Sequence, residues 1–213
     1  MLEMKRVFLL ILCILSSAFV CGQTLRVYLV GDSTCATKDL AKQNPERGWG
    51  HMFQPLFDAS VGVENHAANG RSTKSFRDEG RWAAVYDKLQ PGDYVFIQFG
   101  HNDQKQNDST RYASSEQYAE NLRRYVCETR EKGGIPVLLT PIVRRRFTDG
   151  VLVDTHGLYA AAVCRVAVEE RAPLIDAGRL TRAWISSLGD ERSKAYYMWV
   201  DPGTNPRWPD GRT

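Results

Sequence analysis

The chain has no long apolar run beyond its first two dozen residues and no strong excess of charge of either sign. Its 213 residues include 28 Lys and Arg against 25 Asp and Glu, a formal net charge of +3. Such a small excess creates no strong field for a polyanion, so nucleic acid is not an expected partner. An apolar fraction of 43% and a charged fraction of 25% exclude a disordered or low-complexity chain. The length suits one hydrophobic core, and we expect a single domain at residues 23–213 that acts as a monomer.

Cysteine is scarce, and its spacing favours no metal site. Of the five cysteines, Cys13 and Cys21 fall in the N-terminal segment. The others, Cys35, Cys127 and Cys164, form no Cys-x-x-Cys pair and no Cys/His ligand spacing. One disulfide is allowed in an exported chain and would leave an odd thiol. Cys127 and Cys164 lie on predicted helix faces, and we expect both to be buried as small apolar side chains.

The N-terminal segment has the pattern of a targeting signal. A short basic region precedes the apolar run at residues 7–15, which is too short to cross a bilayer, and small residues follow it. This order predicts a secretory signal peptide at residues 1–22 and a secreted or periplasmic protein. A lipoprotein with lipid on Cys21 is the alternative. After Gln23 no stretch approaches membrane length, so we expect no membrane contact after cleavage.

Apolar runs that alternate with helical patterns indicate an α/β fold. Strands are predicted at residues 25–30, 61–64, 94–99, 135–140 and 174–176, and helices at 49–57, 75–89, 115–132, 156–170 and 180–188. Trp82 and Trp184 lie on predicted helices and are expected in the core. The strands are nearly continuous apolar runs, which is typical of a parallel sheet covered by helices on both faces. The turn-rich segment after residue 200 is predicted to contain no strand or helix.

Polar clusters follow the first three predicted strands, at residues 31–34, 69–72 and 100–103. The carboxyl ends of parallel strands share one edge of a sheet, so we expect the clusters to meet there. Ser33 is placed as a nucleophile on a turn. The backbone N–H groups of Ser33 and Gly70 and the side-chain amide of Asn102 are candidate donors to an ester oxygen that becomes negative. Each cluster alone is typical of a turn, and the prediction depends on all three.

With these motifs in view, the chain resembles the SGNH (GDSL-like) hydrolases, and among them the rhamnogalacturonan acetylesterase group. The resemblance is carried by GDST (31–34), NHAANGRS (65–72), DYVFIQFGHND (93–103), TPIVRRRF (140–147) and DTHGLYAAAV (154–163). It implies a flavodoxin-like three-layer α/β/α fold, Ser33 as nucleophile, and Ser33, Gly70 and Asn102 as oxyanion donors. It also implies hydrolysis of acetyl esters on plant cell-wall pectin without a metal or cofactor.

The sequence departs from this family at the general base. A serine hydroxyl needs a neighbouring base to accept its proton, and the family places a histidine in an Asp-x-x-His motif near the C-terminus. No such motif follows residue 174. None of the histidines present is expected to replace it: His51, His66 and His101 are expected to have structural roles, and His156 to be a helix cap or a residue on the substrate side. We therefore expect a chain that is incomplete at its C-terminus and impaired in catalysis. The alternative is a short form that binds carbohydrate without turnover.

The only basic run, at residues 144–146, follows the fourth predicted strand. Arg145 and Arg146 are predicted to bind the carboxylates of an acidic sugar, because the guanidinium fork matches a carboxylate. An equally acceptable interpretation is a solvated loop with one arginine paired inward.

Two competing functions lack their sequence signals. An α/β-hydrolase needs a Gly-x-Ser-x-Gly elbow, which the residues around Ser33 do not form. A flavin or phosphate binder would use the first loop as an anion cradle and would leave Gly70 and Asn102 unexplained. A carbohydrate-binding protein without catalysis stays open as an alternative.

Overall fold

Five parallel strands form the central sheet of the computed structural model, which describes residues 24–212 apart from the side chain of Lys42. The sheet strands are β1 (Leu25–Gly31), β2 (Val61–Asn65), β3 (Tyr94–Gln98), β4 (Ile135–Leu139) and β7 (Leu174–Ile175), in the order β2-β1-β3-β4-β7. A separate antiparallel hairpin joins β5 (Phe147–Thr148) to β6 (Val151–Leu152). The predicted parallel α/β fold is confirmed. The predicted signal peptide at 1–22, with Cys13 and Cys21, lies outside the described residues.

The helices follow the predicted pattern in part. They are α1 (Thr73–Asp78), α2 (Arg81–Tyr86), α3 (Ser115–Glu131), α4 (Gly157–Glu169) and α5 (Ala177–Ser193). The predictions at 115–132 and 156–170 are confirmed to within a residue. The single helix predicted at 75–89 is wrong, because Gly80 adopts a left-handed φ of 71° and separates α1 from α2. The last helix begins three residues before the predicted 180, and the non-helical backbone of Gly189, with a φ of 73°, interrupts it one residue after the predicted end at 188.

The predicted helix at 49–57 is also wrong. The segment forms two short 3₁₀ turns, Trp49–Met52 and Gln54–Leu56. Pro55 lies in the second turn and has no N–H for a helical hydrogen bond, which favours short turns over a continuous α-helix.

From Val27 onward strand β1 is buried on both faces, which explains the apolar run that follows the exposed Arg26. Tyr28 and Val30 join the core cluster under helices α1 to α4. Val27 and Leu29 point to the opposite face, where aromatic side chains of the 49–57 segment pack, among them Trp49. Successive side chains of a strand alternate between faces, so a strand covered on both sides needs apolar residues at every position.

Two predictions about surface and core fail in the helices. Cys127 is exposed and Cys164 is half-buried, whereas Cys35 is buried, and all three are free thiols. Trp82 lies in the core as predicted, but Trp184 is 48% exposed. Residue spacing predicts which residues share a helix face, but a face is buried only where another element covers it. Within residues 24–212, no element fully covers the faces that carry Cys127, Cys164 and Trp184.

The strand order determines where a ligand can bind. The chain passes from β1 to β2 on one side and then returns to β3 on the other side of β1. Loops diverge at such a switch point and leave a crevice at the carboxyl ends of the strands. Ser33 follows β1 and Asn102 follows β3, so the predicted site residues flank this crevice. No helix between residues 24 and 212 is long and apolar enough to cross a membrane.

Candidate functional site

Three loops meet at the carboxyl ends of β1, β2 and β3. The loop after β2 runs beside the end of β1, where the Ala68 N–H donates to the Gly31 carbonyl at 3.0 Å. The loop after β3 joins it through the Asn102 side chain, whose Nδ2 donates to the Arg71 carbonyl at 3.0 Å. The structure therefore brings together the loops that carry Ser33, Gly70 and Asn102, as the sequence pattern predicts. Their chemical roles stay predictions.

Ser33 lies at a sharp turn built by the preceding aspartate. The Asp32 Oδ1 accepts hydrogen bonds from the Thr34 N–H at 2.9 Å and from the Thr34 hydroxyl at 2.8 Å. This short-range side-chain to backbone bond is the usual way in which Asp forms a turn. Ser33 is half-buried, and within residues 24–212 its hydroxyl and its N–H form no hydrogen bond.

Gly70 has a left-handed backbone that a side chain would strain. Its φ is 78°, a conformation that glycine adopts without steric cost. Within the described part of the chain, no acceptor takes its N–H. Gly70 therefore has a backbone donor available to a ligand.

Asn102 is almost fully buried, at 3% exposure. Its amide nitrogen carries two hydrogens, and the bond to the Arg71 carbonyl uses only one of them. The second hydrogen is available to another acceptor, and the first fixes the orientation of the amide.

Asp103 ties the β3 loop to helix α1. Its Oδ1 accepts from the Thr73 N–H at 2.9 Å and from the Thr73 hydroxyl at 2.5 Å, and its Oδ2 accepts from the Gly100 N–H at 3.1 Å. Burial raises the pKa of Asp103 to about 7, although the bonds from Thr73 oppose the rise. The carboxyl fixes the loop beside Asn102.

A cluster of titratable groups lies beside the nucleophile turn. The His101 Nδ1 is 3.5 Å from the Asp32 Oδ2. Burial alone would raise the pKa of Asp32, but the neighbouring His101 imidazole and the hydrogen bonds from Thr34 outweigh it and lower that pKa. The His156 ring packs on His101 with centroids 4.4 Å apart. Burial lowers the pKa of His156 to about 3, and the nearby charges of His101 and Arg144 add to the shift.

An open groove of about 670 Å³ begins at Gly70 and extends between α1 and the segment around residue 110. Charged and hydroxyl side chains line it, including Arg71, Lys74, Thr110 and Arg111. Arg111 pairs with Asp108 through Nε at 2.6 Å. A groove with so many hydrogen-bonding groups suits a polar ligand rather than an apolar one.

The arginines of residues 144–146 have separate surroundings. Arg144 points inward and donates to the His101 carbonyl at 3.0 Å. Arg145 forms an ion pair with Asp190, and its guanidinium lies 4.9 Å from the centroid of the Trp199 ring. Arg146 is exposed. The carboxylate-binding role of Arg145 and Arg146 stays a prediction, and Arg145 would have to share its guanidinium with Asp190.

Two parts of the site are not visible in the sequence pattern. Lys38 is buried behind the nucleophile turn, although lysine is rarely buried and no motif marks this position. The groove residues Thr110 and Arg111 come from a loop with an ordinary polar sequence. Between residues 24 and 212, no three or more His, Cys, Asp and Glu side chains form a group that could hold a metal ion.

Comparison with known proteins gives consistent matches. The model of the GDSL-like lipase/acylhydrolase family matches residues 29–204, a range that includes all three loops. The chain is 39% identical over 188 residues to the rhamnogalacturonan acetylesterase RhgT of Bacillus subtilis, which covers 88% of this chain and 79% of that protein.

Solved structures show the same fold. The crystal structure of the YxiM protein of Bacillus subtilis matches with a TM-score of 0.75 and 30% identity over 83% of this chain, and the chain spans 50% of that structure. An acetylxylan esterase of Geobacillus stearothermophilus matches with a TM-score of 0.60 and 21% identity, over 76% of this chain and 80% of that one. The second likeness concerns the fold alone.

Proposed function

This chain belongs to the GDSL-like lipase/acylhydrolase family as an SGNH-type carboxylic ester hydrolase, and from that premise we propose that it removes acetyl groups from rhamnogalacturonan of the plant cell wall. The observation that carries the proposal is the contact between the loops of Ser33, Gly70 and Asn102. These loops present a free hydroxyl together with N–H donors that have no acceptor among residues 24–212. An acyl transfer site needs both parts.

The reaction follows from these groups. The Ser33 Oγ attacks the acetyl carbonyl carbon and loses its proton to a base, and the carbonyl oxygen becomes negative. The Ser33 and Gly70 N–H groups and the second Asn102 amide hydrogen stabilise that oxygen. The base returns this proton to the sugar oxygen as the bond between that oxygen and the carbonyl carbon breaks, and an acetyl ester remains on Ser33. Water then loses a proton to the base and attacks this ester, the bond to the Ser33 Oγ breaks, acetate is released, and the base returns the proton to the Oγ.

The structure does not identify the proton acceptor of this reaction, because within residues 24–212 no base forms a hydrogen bond with the Ser33 hydroxyl. Of the described histidines, His101 lies beside the nucleophile turn and has a carboxylate partner, Asp32. A carboxylate holds an imidazole in one tautomer and stabilises its charged form. His101 is therefore the candidate for this proton acceptor.

The groove supports a charged carbohydrate as substrate. It begins at Gly70, one of the proposed oxyanion donors, and its hydroxyl, ammonium and guanidinium groups can bind sugar hydroxyls and uronate carboxylates. A uronate would compete there with Asp78 and Glu79, which also line the groove and pair with Lys74 and Arg71. The similarity to a protein named rhamnogalacturonan acetylesterase favours acidic pectin over neutral polymers. The protein is further proposed to be secreted or periplasmic and to act as a monomer.

We expect the chain to release acetate from acetylated rhamnogalacturonan faster than from an acetylxylan without uronic acid side chains, because the pectic polymer then is the one of the two that carries carboxylates for the groove. The measurement is acetate release at equal acetyl concentration of the two polymers, with chemically deacetylated rhamnogalacturonan as a blank. Arg111→Gln should reduce the difference between the two rates of acetate release, because it weakens binding to the acidic polymer. Equal rates on both polymers would contradict the substrate assignment, and binding without any acetate release would favour the carbohydrate-binding alternative.

A further inference from the structure

Lys38 is a buried cation behind the nucleophile turn, and the reaction described above does not use it. Its side chain is 2% exposed. Its Nζ donates to the Ser33 carbonyl at 2.6 Å and to the Asn69 Oδ1 at 2.7 Å, and it lies 3.0 Å from the Glu46 Oε1. An ammonium has three donors, so these partners satisfy all of them. Lys38 thus links the residue proposed as nucleophile to the residue before Gly70.

Arg71 holds the same asparagine from the other side. Its Nη1 donates to the Asn69 main-chain carbonyl at 2.7 Å, and its Nε pairs with Glu79 at 3.0 Å. Both oxygens of Asn69 therefore accept from a cation, the side-chain oxygen from Lys38 and the main-chain oxygen from Arg71. Two bonds to one residue restrict its rotation far more than one bond does.

The Asn69 carbonyl and the Gly70 N–H belong to one planar peptide unit. A cation that binds the carbonyl fixes the plane and so fixes the direction of the N–H. It also draws electron density toward the oxygen, which makes the N–H a stronger donor. The Arg71 carbonyl in turn holds the Asn102 amide. The proposed donors of Gly70 and Asn102 thus both depend on the segment that the two cations hold.

We propose that Lys38 and Arg71 are positioning residues of the oxyanion site: they clamp Asn69 between them and so aim and polarise the Gly70 N–H. This inference rests on the proposed function, because it assigns the clamp to the donors of that reaction. The clamp acts on the transition state, in which the oxygen is charged, more than on the bound ester. It therefore affects kcat and leaves KM nearly unchanged.

The test compares Lys38→Met and Arg71→Met with the full wild-type chain on p-nitrophenyl acetate, a substrate that has no sugar to contact the groove. Complete removal of an oxyanion donor costs about 100-fold to 1,000-fold in kcat. A donor that is present but poorly aimed should cost less, and we expect about a tenfold loss of kcat with KM within about twofold. Arg71→Lys should recover part of the loss, because an ammonium can still donate to the Asn69 carbonyl.

Arg77→Met is the matched control. Arg77 also forms an ion pair with little exposure, with Glu128 at 2.7 Å, and it joins α1 to α3 without contacting Asn69. Its loss should lower the melting temperature and leave kcat of the folded protein unchanged. If Lys38→Met does not fold, Arg71→Met decides the result, because that side chain is 33% exposed and its loss leaves no deeply buried charge.

The outcomes separate the two proposals. A wild-type chain that neither hydrolyses the ester nor reacts at Ser33 with a fluorophosphonate overturns the proposed function and the clamp with it. An active wild type whose folded Lys38 and Arg71 variants keep its kcat overturns the clamp alone. If Arg77→Met loses as much kcat as the Lys38 and Arg71 variants, the clamp is also overturned, because the loss of kcat would then reflect reduced stability rather than the position of Asn69.

Discussion

Ser33→Ala is expected to lower the hydrolysis of acetyl esters at least about 1,000-fold, because it removes the only atom proposed to bond to the acetyl carbon. The remaining rate would come from binding and from the oxyanion donors, which the substitution leaves in place. The measurement is kcat/KM on p-nitrophenyl acetate, together with labelling of the chain by a fluorophosphonate. Wild type should be labelled at Ser33, and the variant should not be labelled.

This loss can be distinguished from unfolding. Ser33 is half-buried and its hydroxyl forms no hydrogen bond among residues 24–212, so removal of the hydroxyl leaves no buried partner unsatisfied. We expect a change in melting temperature within about 2 °C. Ser60→Ala is the control, since Ser60 lies just before β2, at the opposite end of the strand from the site, and its hydroxyl bonds only to Asp58. Retention of more than about a tenth of the wild-type activity in Ser33→Ala would contradict its role as nucleophile.

The parts of the fold that could be predicted are those that depend on local sequence. Strand β1 is identified by its apolar run, and α3 by the capping box between Ser114 and Gln117, which the structure contains. The loops of the candidate site could be placed because parallel strands bring their carboxyl ends together. The break at Gly80 was missed, because the spacing of apolar residues continues across it. Its left-handed φ is visible only in the structure.

The site could be predicted less completely than the fold. Ser33, Gly70 and Asn102 follow strand ends and have chemistry that stands out in the sequence. The burial of Lys38 depends on Glu46 and Asn69, which lie 8 and 31 residues away along the chain. A local sequence pattern does not show such a contact, because the loops that carry these residues come together only in the folded chain. The residues that react are therefore visible in the sequence, whereas those that orient them are visible only after folding.

The cluster around His156 predicts how stability responds to acid. The folded pKa of His156 is about 3 and its ordinary value is 6.5; burial is the main cause, and the charges of His101 and Arg144 add to it. Asp32 and Asp154 also face this ring and oppose the shift. Between pH 6.5 and pH 3 the unfolded chain binds a proton at His156 that the folded chain does not bind. The free energy of unfolding therefore falls as pH falls through this window.

Asp103 acts in the opposite direction. Its folded pKa is about 7, above the ordinary 3.8, so the folded chain binds the extra proton between pH 7 and pH 4. This group makes the folded state more stable as pH falls through that window. The pH dependence of the wild type combines both effects, and only a comparison of variants isolates His156.

His156→Asn should lose less stability in acid than the wild type. At pH 8 the variant is expected to be less stable, because the packing against the His101 ring is lost. Between pH 8 and pH 4 the wild type should lose about 3 kcal/mol more than the variant, since the asparagine takes up no proton. The measurement is urea unfolding at pH 8, 6 and 4, with Leu158→Gln, an exposed position in α4, as a control whose profile should run parallel to that of the wild type. If the free energy of unfolding depends on pH in the same way for the wild type and His156→Asn, then the folded chain binds the proton on His156 as readily as the unfolded chain does. The ring would then not be kept neutral by its burial beside the nucleophile turn.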